Sequence, residues 1–423
     1  MQIMKTWRYT LKSIYICIGL IFGFMLTTLP IYAEGNIHYG RLNVKPKLET
    51  ELIHYSNIFL DDVDEVEDTV FTIQPSIMLE YKDNTPGNYF QTGYDLKLAS
   101  YFKRNDNNYQ THEPYLKCGL RTPTGFIARF SERFMRTADP LGSATHYGEG
   151  RRTARSENTI DFTFGQYFTD RFSFETMYQN FAIRYRDGRR SDNDRGDQWQ
   201  DRTDNIFSLK ALMLITGSRK TSVLAEYRFT DSSYDRQNPE SNSQDHNINT
   251  FLTGFRFEPG SKLSGEAKLG FENKSFDNSV DEYNRPYEDN STWVIETDIK
   301  FEMSKITELG FKFIRSIEGA PDRDAASYVD TNIEFNLSHQ IQHKVKFHTL
   351  LNWINSDYRD EKPGIPNKYL NYYALGFELE YKMRDWLKIE SGYLYATKTA
   401  SHSNFYKSEF TNNVLFFSSK AEF

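Results

Sequence analysis

The chain has 423 residues, of which 38% are hydrophobic, 26% charged and 16% aromatic, with a formal net charge of -7. A mean hydropathy of -0.67 excludes a bundle of transmembrane helices, each of which needs about 20 consecutive apolar residues. The aromatic content excludes a disordered chain. What remains is a soluble all-β protein of one or two domains, or a transmembrane β-barrel that spreads its apolar residues one in two.

The one strongly apolar run is N-terminal. Lys5, Arg8 and Lys12 precede Ile14 to Leu26, and Pro30 and Ile31-Tyr32-Ala33 follow. A basic start, an apolar middle and a small residue before the cut predict a secretory signal peptide over residues 1–33. Cys17 follows Ile16, where a lipidation site wants a small residue. The exported part, 34–423, then holds one cysteine, Cys118, and forms no internal disulfide. Acidic bursts such as Asp61-Asp62-Val63-Asp64-Glu65-Val66-Glu67-Asp68 argue against a nucleic-acid partner.

From Gly40 onward the period is two. Phe71, Ile73, Pro75, Ile77, Leu79 and Tyr81 alternate with Thr72, Gln74, Ser76, Met78, Glu80 and Lys82. The pattern returns at Leu263–Phe271, Trp293–Phe301 and Val345–Trp353. One face is apolar and aromatic, the other charged. Short links at 83–87, 122–125, 169–170, 216–219, 258–261, 304–305, 342–343 and 384–385 alternate with long polar links. The long ones are 56–68, 103–110, 138–155, 187–202, 231–245, 274–290, 318–325, 357–368 and 398–408. Short turns on one side and long loops on the other are the rule of bacterial outer-membrane barrels. Eight short and nine long links predict an antiparallel up-and-down barrel of 18 strands, with 16 as the alternative. Such a chain is expected in the outer membrane of a Gram-negative cell. Its surroundings would be lipid and lipopolysaccharide, and its insertion would use the barrel-assembly machinery. The last strand ends in Phe423, with Leu415, Phe417, Ser419 and Ala421 on the same face, similar to the C-terminal signal of such barrels.

In this register Leu116, Cys118 and Leu120 face lipid, and Trp293, Trp353, Trp386, Tyr381, Tyr393 and Tyr395 suit the interfacial girdles. Lys45, Lys97, Arg228, Arg256 and Lys268 face inward with Glu80, Glu226, Glu266 and Glu296. The bland expectation is pairing of these charges into ladders. The functional one is a hydrated lumen that slides a polar solute past them. Arg121, Arg129 and Arg133 form the best basic patch and are the candidate contacts for an anionic solute. The long link 187–202, with Arg189, Arg190 and Trp199, is the candidate constriction loop.

No helical zinc motif, nucleophile elbow or Gly-rich phosphate loop is present. His339, His343 and His348 straddle a turn and cannot converge. The acidic run 61–68 offers oxygens to Ca²⁺ but reads first as a solvated loop. The expectation is therefore no cofactor, no metal and no enzyme.

The opening strands resemble the β-barrel porin 2 family. The residues are Leu48-Glu49-Thr50-Glu51-Leu52-Ile53-His54-Tyr55-Ser56-Asn57-Ile58-Phe59, the acidic link, and Thr69 to Tyr81 with Pro75-Ser76. Tyr94-Asp95-Leu96 through Tyr101 extend the likeness. Members are often linked to exopolysaccharide secretion. The resemblance implies an outer-membrane conduit for polysaccharide, working with a periplasmic polysaccharide-export protein, and brings no catalytic residues. A general or solute-uptake porin is the alternative, and a surface structural protein or adhesin the third.

Overall fold

The computed structural model describes residues 37–423 except 84, 86, 139–153, 170, 186–200, 216–220, 236–243, 259, 261, 279, 281–288, 320–326, 359–367 and 402–408. The segment expected to be a signal peptide, and Arg189, Arg190 and Trp199, lie outside the described residues.

Nineteen strands follow one another: β1 Ile37–Tyr39, β2 Leu42–Tyr55, β3 Asp68–Lys82, β4 Tyr89–Tyr101, β5 Tyr109–Arg121, β6 Phe126–Ala138, β7 Ala154–Tyr167, β8 Phe172–Tyr185, β9 Arg202–Leu214 and β10 Thr221–Tyr234. Then come β11 His246–Phe257, β12 Leu263–Phe276, β13 Asn290–Ser304, β14 Thr307–Gly319, β15 Ser327–Gln342, β16 Val345–Tyr358, β17 Lys368–Arg384, β18 Leu387–Ala400 and β19 Phe410–Glu422. Each of β2 to β19 pairs antiparallel with its chain neighbours, and β19 pairs with β2, from Val414↔Tyr55 to Glu422↔Lys47. The result is a closed 18-stranded barrel, as the link pattern predicts. Closure leaves no strand edge to face lipid, where an unpaired N–H or C=O finds no partner.

The short strand β1 is the one strand beyond that count among the described residues. β19 stops opposite Lys47, which leaves the start of β2 uncovered. The Phe423 N–H donates to the Pro46 carbonyl at 2.9 Å, and β1 pairs with Leu42 to Val44 just beyond. The step in the seam is thereby filled from the N-terminal side.

Strands β2 to β19 run 12 to 17 residues. Tilted by about 45°, this length spans the ~25 Å apolar band. At one end the links are two to six residues; at the other they are seven to sixteen. The 103–110 link is the shortest kind of long loop, with a single 3₁₀ turn over Asn105–Asn107. Prolines sit where the ladder skips. The β3–β4 pairing omits Gln74 and Pro75, and the β5–β6 pairing omits Pro114, because proline has no N–H to donate.

Odd residues of β2 and of β4 to β8, and even residues of β3 and of β9 to β19, point inward. The opposite parity carries the exposed apolar belt: Phe90, Tyr94 and Leu98, Phe251 and Phe255, Leu415 and Phe417. Trp293 and Trp353 lie on it, and the Arg315 guanidinium sits 4.3 Å over the Trp293 ring. Trp386 occupies the turn before β18 and stacks on Phe423. His339 and His348 fall on opposite faces and bond to Thr307 and Ser338, so they do not converge.

Candidate functional site: the barrel lumen

Eight inward-facing charges on β8 to β13 are gathered into one network. Arg256 grips Glu175 with two bonds of 2.7 and 2.9 Å and reaches Glu266 at 2.5 Å. Arg228 holds Glu296 at 2.6 and 3.0 Å and Glu226 at 2.9 Å. Lys268 touches Glu296 at 2.6 Å, Glu226 at 3.0 Å and Glu266 at 3.6 Å. Lys210 joins Glu226 and Glu266 at 3.4 and 3.2 Å. Four cations meet four carboxylates, so the cluster is neutral. The ladder pairing expected from the sequence is present here, but it is not limited to neighbouring strands. Arg256 to Glu175, Lys210 to Glu266 and Arg228 to Glu296 each bridge three strand spacings, about 14 Å of wall.

That reach requires a sharply curved wall. Inward glycines stand where it bends. A Cβ at Gly254 would strike the Ala267 carbonyl, and one at Gly270 the Phe251 carbonyl. Glycine lets the backbones approach and the sheet kink. Around the bend lies a cavity of about 890 Å³, bordered by Arg228, Lys268, Glu272, Glu296, Lys300 and Lys312. A second, of about 350 Å³, is bordered by Arg129, Glu175, Lys210, Glu226 and Lys268.

The three arginines singled out from sequence all face the lumen, but they are not equivalent. Arg129 borders the smaller cavity and makes no ion pair or hydrogen bond among the described residues. Arg121 stacks 5.8 Å from the Tyr167 ring centroid. Arg133 is bound to Glu113 at 2.6 Å. In the ladder Arg129 faces Gly119, two residues before Arg121, a diagonal of about 7–8 Å. Arg133 lies four residues along β6, about 13 Å away. Arg121 and Arg129 thus form a pair, and Arg133 belongs to a local ion bridge.

The loop after β2 turns into the mouth, which the sequence reading did not anticipate. Ile58 packs with Val70, Ala99 and Tyr101, joined by Phe59 and Tyr109. Leu60, with φ of 52°, packs with Ala374, Ala396 and Phe410 on the inner faces of β17 to β19. Fully buried Asn57 pins the loop: its N–H donates to the Asn412 side chain at 3.1 Å, and its amide donates to the Asp61 carbonyl at 2.6 Å. Buried Asp68 accepts from the backbone N–H groups of Lys103 and Arg104 at 2.9 and 2.8 Å. The available signal was Ile58-Phe59-Leu60, three consecutive apolar residues near the start of a mostly polar link. The acidic run itself is engaged locally. Asp61 accepts from the Val63 and Asp64 N–H groups, and Lys103, 2.5 Å from Glu67, holds that carboxyl below its ordinary range. No cluster of ligands suited to a metal ion occurs among the described residues.

A closed 18-stranded ladder with an apolar aromatic outer face and a charged inner one defines an outer-membrane β-barrel. The family model described as "Putative beta-barrel porin 2" matches residues 30–423. The chain belongs to that family. Among solved structures it is similar to OccAB3 of Acinetobacter baumannii, at 8% identity and a TM-score of 0.46 over 90% of this chain and 99% of that one. It is also similar to the siderophore receptor PirA of Pseudomonas aeruginosa, at 9% identity and a TM-score of 0.43 over 92% of this chain and 81% of that one. No curated protein matches the sequence.

Proposed function

We propose that this barrel is a non-enzymatic conduit that passes exopolysaccharide outward across the outer membrane, with a periplasmic polysaccharide-export protein feeding it. The observation that carries this reading is the closed ladder of 18 strands with a polar inner wall. Barrels of 16–18 strands leave an aqueous channel. Membership of the porin 2 family, together with the likeness of its opening strands to members linked to exopolysaccharide secretion, supports the cargo. Aromatic rings on the inner wall add to it: Tyr115 lies over Gly93 and Tyr89 over Gly119, so ring faces and hydrogen-bonding hydroxyls both line the wall, as suits an amphipathic sugar. Transport at this layer is passive, driven by synthesis within the cell.

The test is deletion of the gene with complementation. Loss of surface polysaccharide, its build-up in the periplasm and unchanged uptake of small solutes support export. Intact polysaccharide with slowed solute uptake would instead make the protein an uptake porin.

A further inference from the structure

The lumen wall is electrically lopsided. On β4 to β6 the inward cations are Lys97, Lys117, Arg121, Arg129 and Arg133, against only Asp95 and Glu113. Of the five, Arg133 alone has an ion pair among the described residues. On β13 to β17 the excess is reversed: nine carboxylates face four lysines among the described side chains, Arg384 lying past a bulge opposite the outward-facing Leu387. Asp298, Glu334 and Glu378 there have no cation within ion-pair distance among the described residues. The arcs between these two walls are neutral. β7 to β12 hold seven inward charges of each sign, and β18 through the seam to β3 hold six of each. In an 18-stranded ring β5 and β14 are nine strands apart either way round, so the basic and acidic walls face each other across the lumen.

We propose that this transverse polarity selects a zwitterionic glycan, one that bears ammonium groups together with carboxylate or phosphate groups. The cargo class rests on the export reading above; the polarity of the wall does not. A polyanion is drawn to the basic wall and repelled by a larger acidic excess opposite. A polycation meets the reverse at β4 to β6. A neutral chain engages neither. A chain with both signs finds both walls favourable, and spaced charges let it move from one weak contact to the next, as conduction requires. Low-dielectric walls focus such fields into the channel.

The purified protein in a planar bilayer tests this through current blocks by oligomers of equal length. The probes are partly N-deacetylated hyaluronan (zwitterionic), hyaluronan (anionic), partly deacetylated chitin (cationic) and dextran (neutral). The zwitterionic probe should block about fivefold more strongly than the other three. The preference should fade from 0.1 to 1 M salt, as the Debye length falls from about 10 to 3 Å. Lys117→Gln with Arg129→Gln, and separately Glu334→Gln with Glu378→Gln, should each abolish it, with heat-modifiable migration in gels confirming a folded barrel. Equal block by all probes, no block by any, preference for a single-sign polymer, or a preference unmoved in both double variants overturns the proposal. The gene deletion tests export alone, so either reading can fail while the other stands.

Discussion

Lys268 is the most connected cation of the inner network, and removing it tests whether that network holds the curved wall together. Its side chain is 8% exposed and its ammonium lies within 3.0 Å of Glu226 and Glu296. Lys268→Met keeps most of the apolar stem and removes the charge, leaving three cations among four carboxylates. Breaking a buried pair by deleting one partner costs about 3–5 kcal/mol. Arg228 still serves Glu226 and Glu296, and Glu266 and Glu296 are about a quarter exposed, so we expect the lower end, about 3 kcal/mol. That loss corresponds to roughly a hundredfold in the folding equilibrium constant, at about 1.4 kcal/mol per tenfold change. The assay is equilibrium unfolding by guanidinium in lipid vesicles, followed by tryptophan fluorescence. Lys346→Met is the control, since Lys346 faces the lumen without an ion pair among the described residues; it should change stability by under about 1 kcal/mol. Pairing Lys268→Met with Glu296→Gln restores neutrality and should recover at least about 1 kcal/mol of coupling. If Lys268→Met and Lys346→Met cost the same, the network is ornamental to stability and the reasoning fails.

Three further outcomes are expected. Asn57→Ala removes the amide bonds to the Asp61 and Thr411 carbonyls and leaves the backbone N–H bond to Asn412 in place, so protease should cut within 58–67 at least tenfold faster, consistent with about 1–3 kcal/mol for orphaned buried bonds; an unchanged cleavage rate would show that backbone bonding and apolar packing hold the loop without the amide. Glu132 faces lipid midway along β6, between Leu116 and Ile160 in the ladder, so Glu132→Leu should stabilise the barrel in vesicles by about 1 kcal/mol, and a destabilisation would place that face against protein. Glu67 is held below its ordinary value of 4.5 by Lys103, so the contact is present above that value and is lost as pH falls through the depressed one; in a carboxyl NMR titration Lys103→Met should return Glu67 toward its ordinary value, and an unmoved titration refutes the pairing.

Much of the fold was legible because a barrel repeats one rule. Alternation fixes which residue faces lipid, and a one-residue slip would invert the whole strand. The side given to Cys118, Arg129, Lys268 and Glu296 therefore followed from counting. The strand number followed from the links, since each long loop must return to a short turn. β1 was not legible: its three residues have no periodicity of their own and pair only because β19 ends opposite Lys47. The candidate site was read by face and not by partner. Arg121, Arg129 and Arg133 share one wall, yet only the ladder register shows that Arg133 is committed to Glu113 while Arg129 is free of partners among the described residues.

The sequence by itself determined the two-faced wall, its closure into an even ring and the placing of charge inside, because these depend on period two and on the membrane's intolerance of unpaired backbone groups. The tertiary structure alone decided where the wall bends, that Arg256 meets Glu175 across three strands, that Ile58 to Leu60 turn into the mouth, and that a basic wall stands opposite an acidic one. Each of these is a relation between residues far apart in the chain. It is set by the curvature and circumference of the closed sheet, which no local pattern encodes.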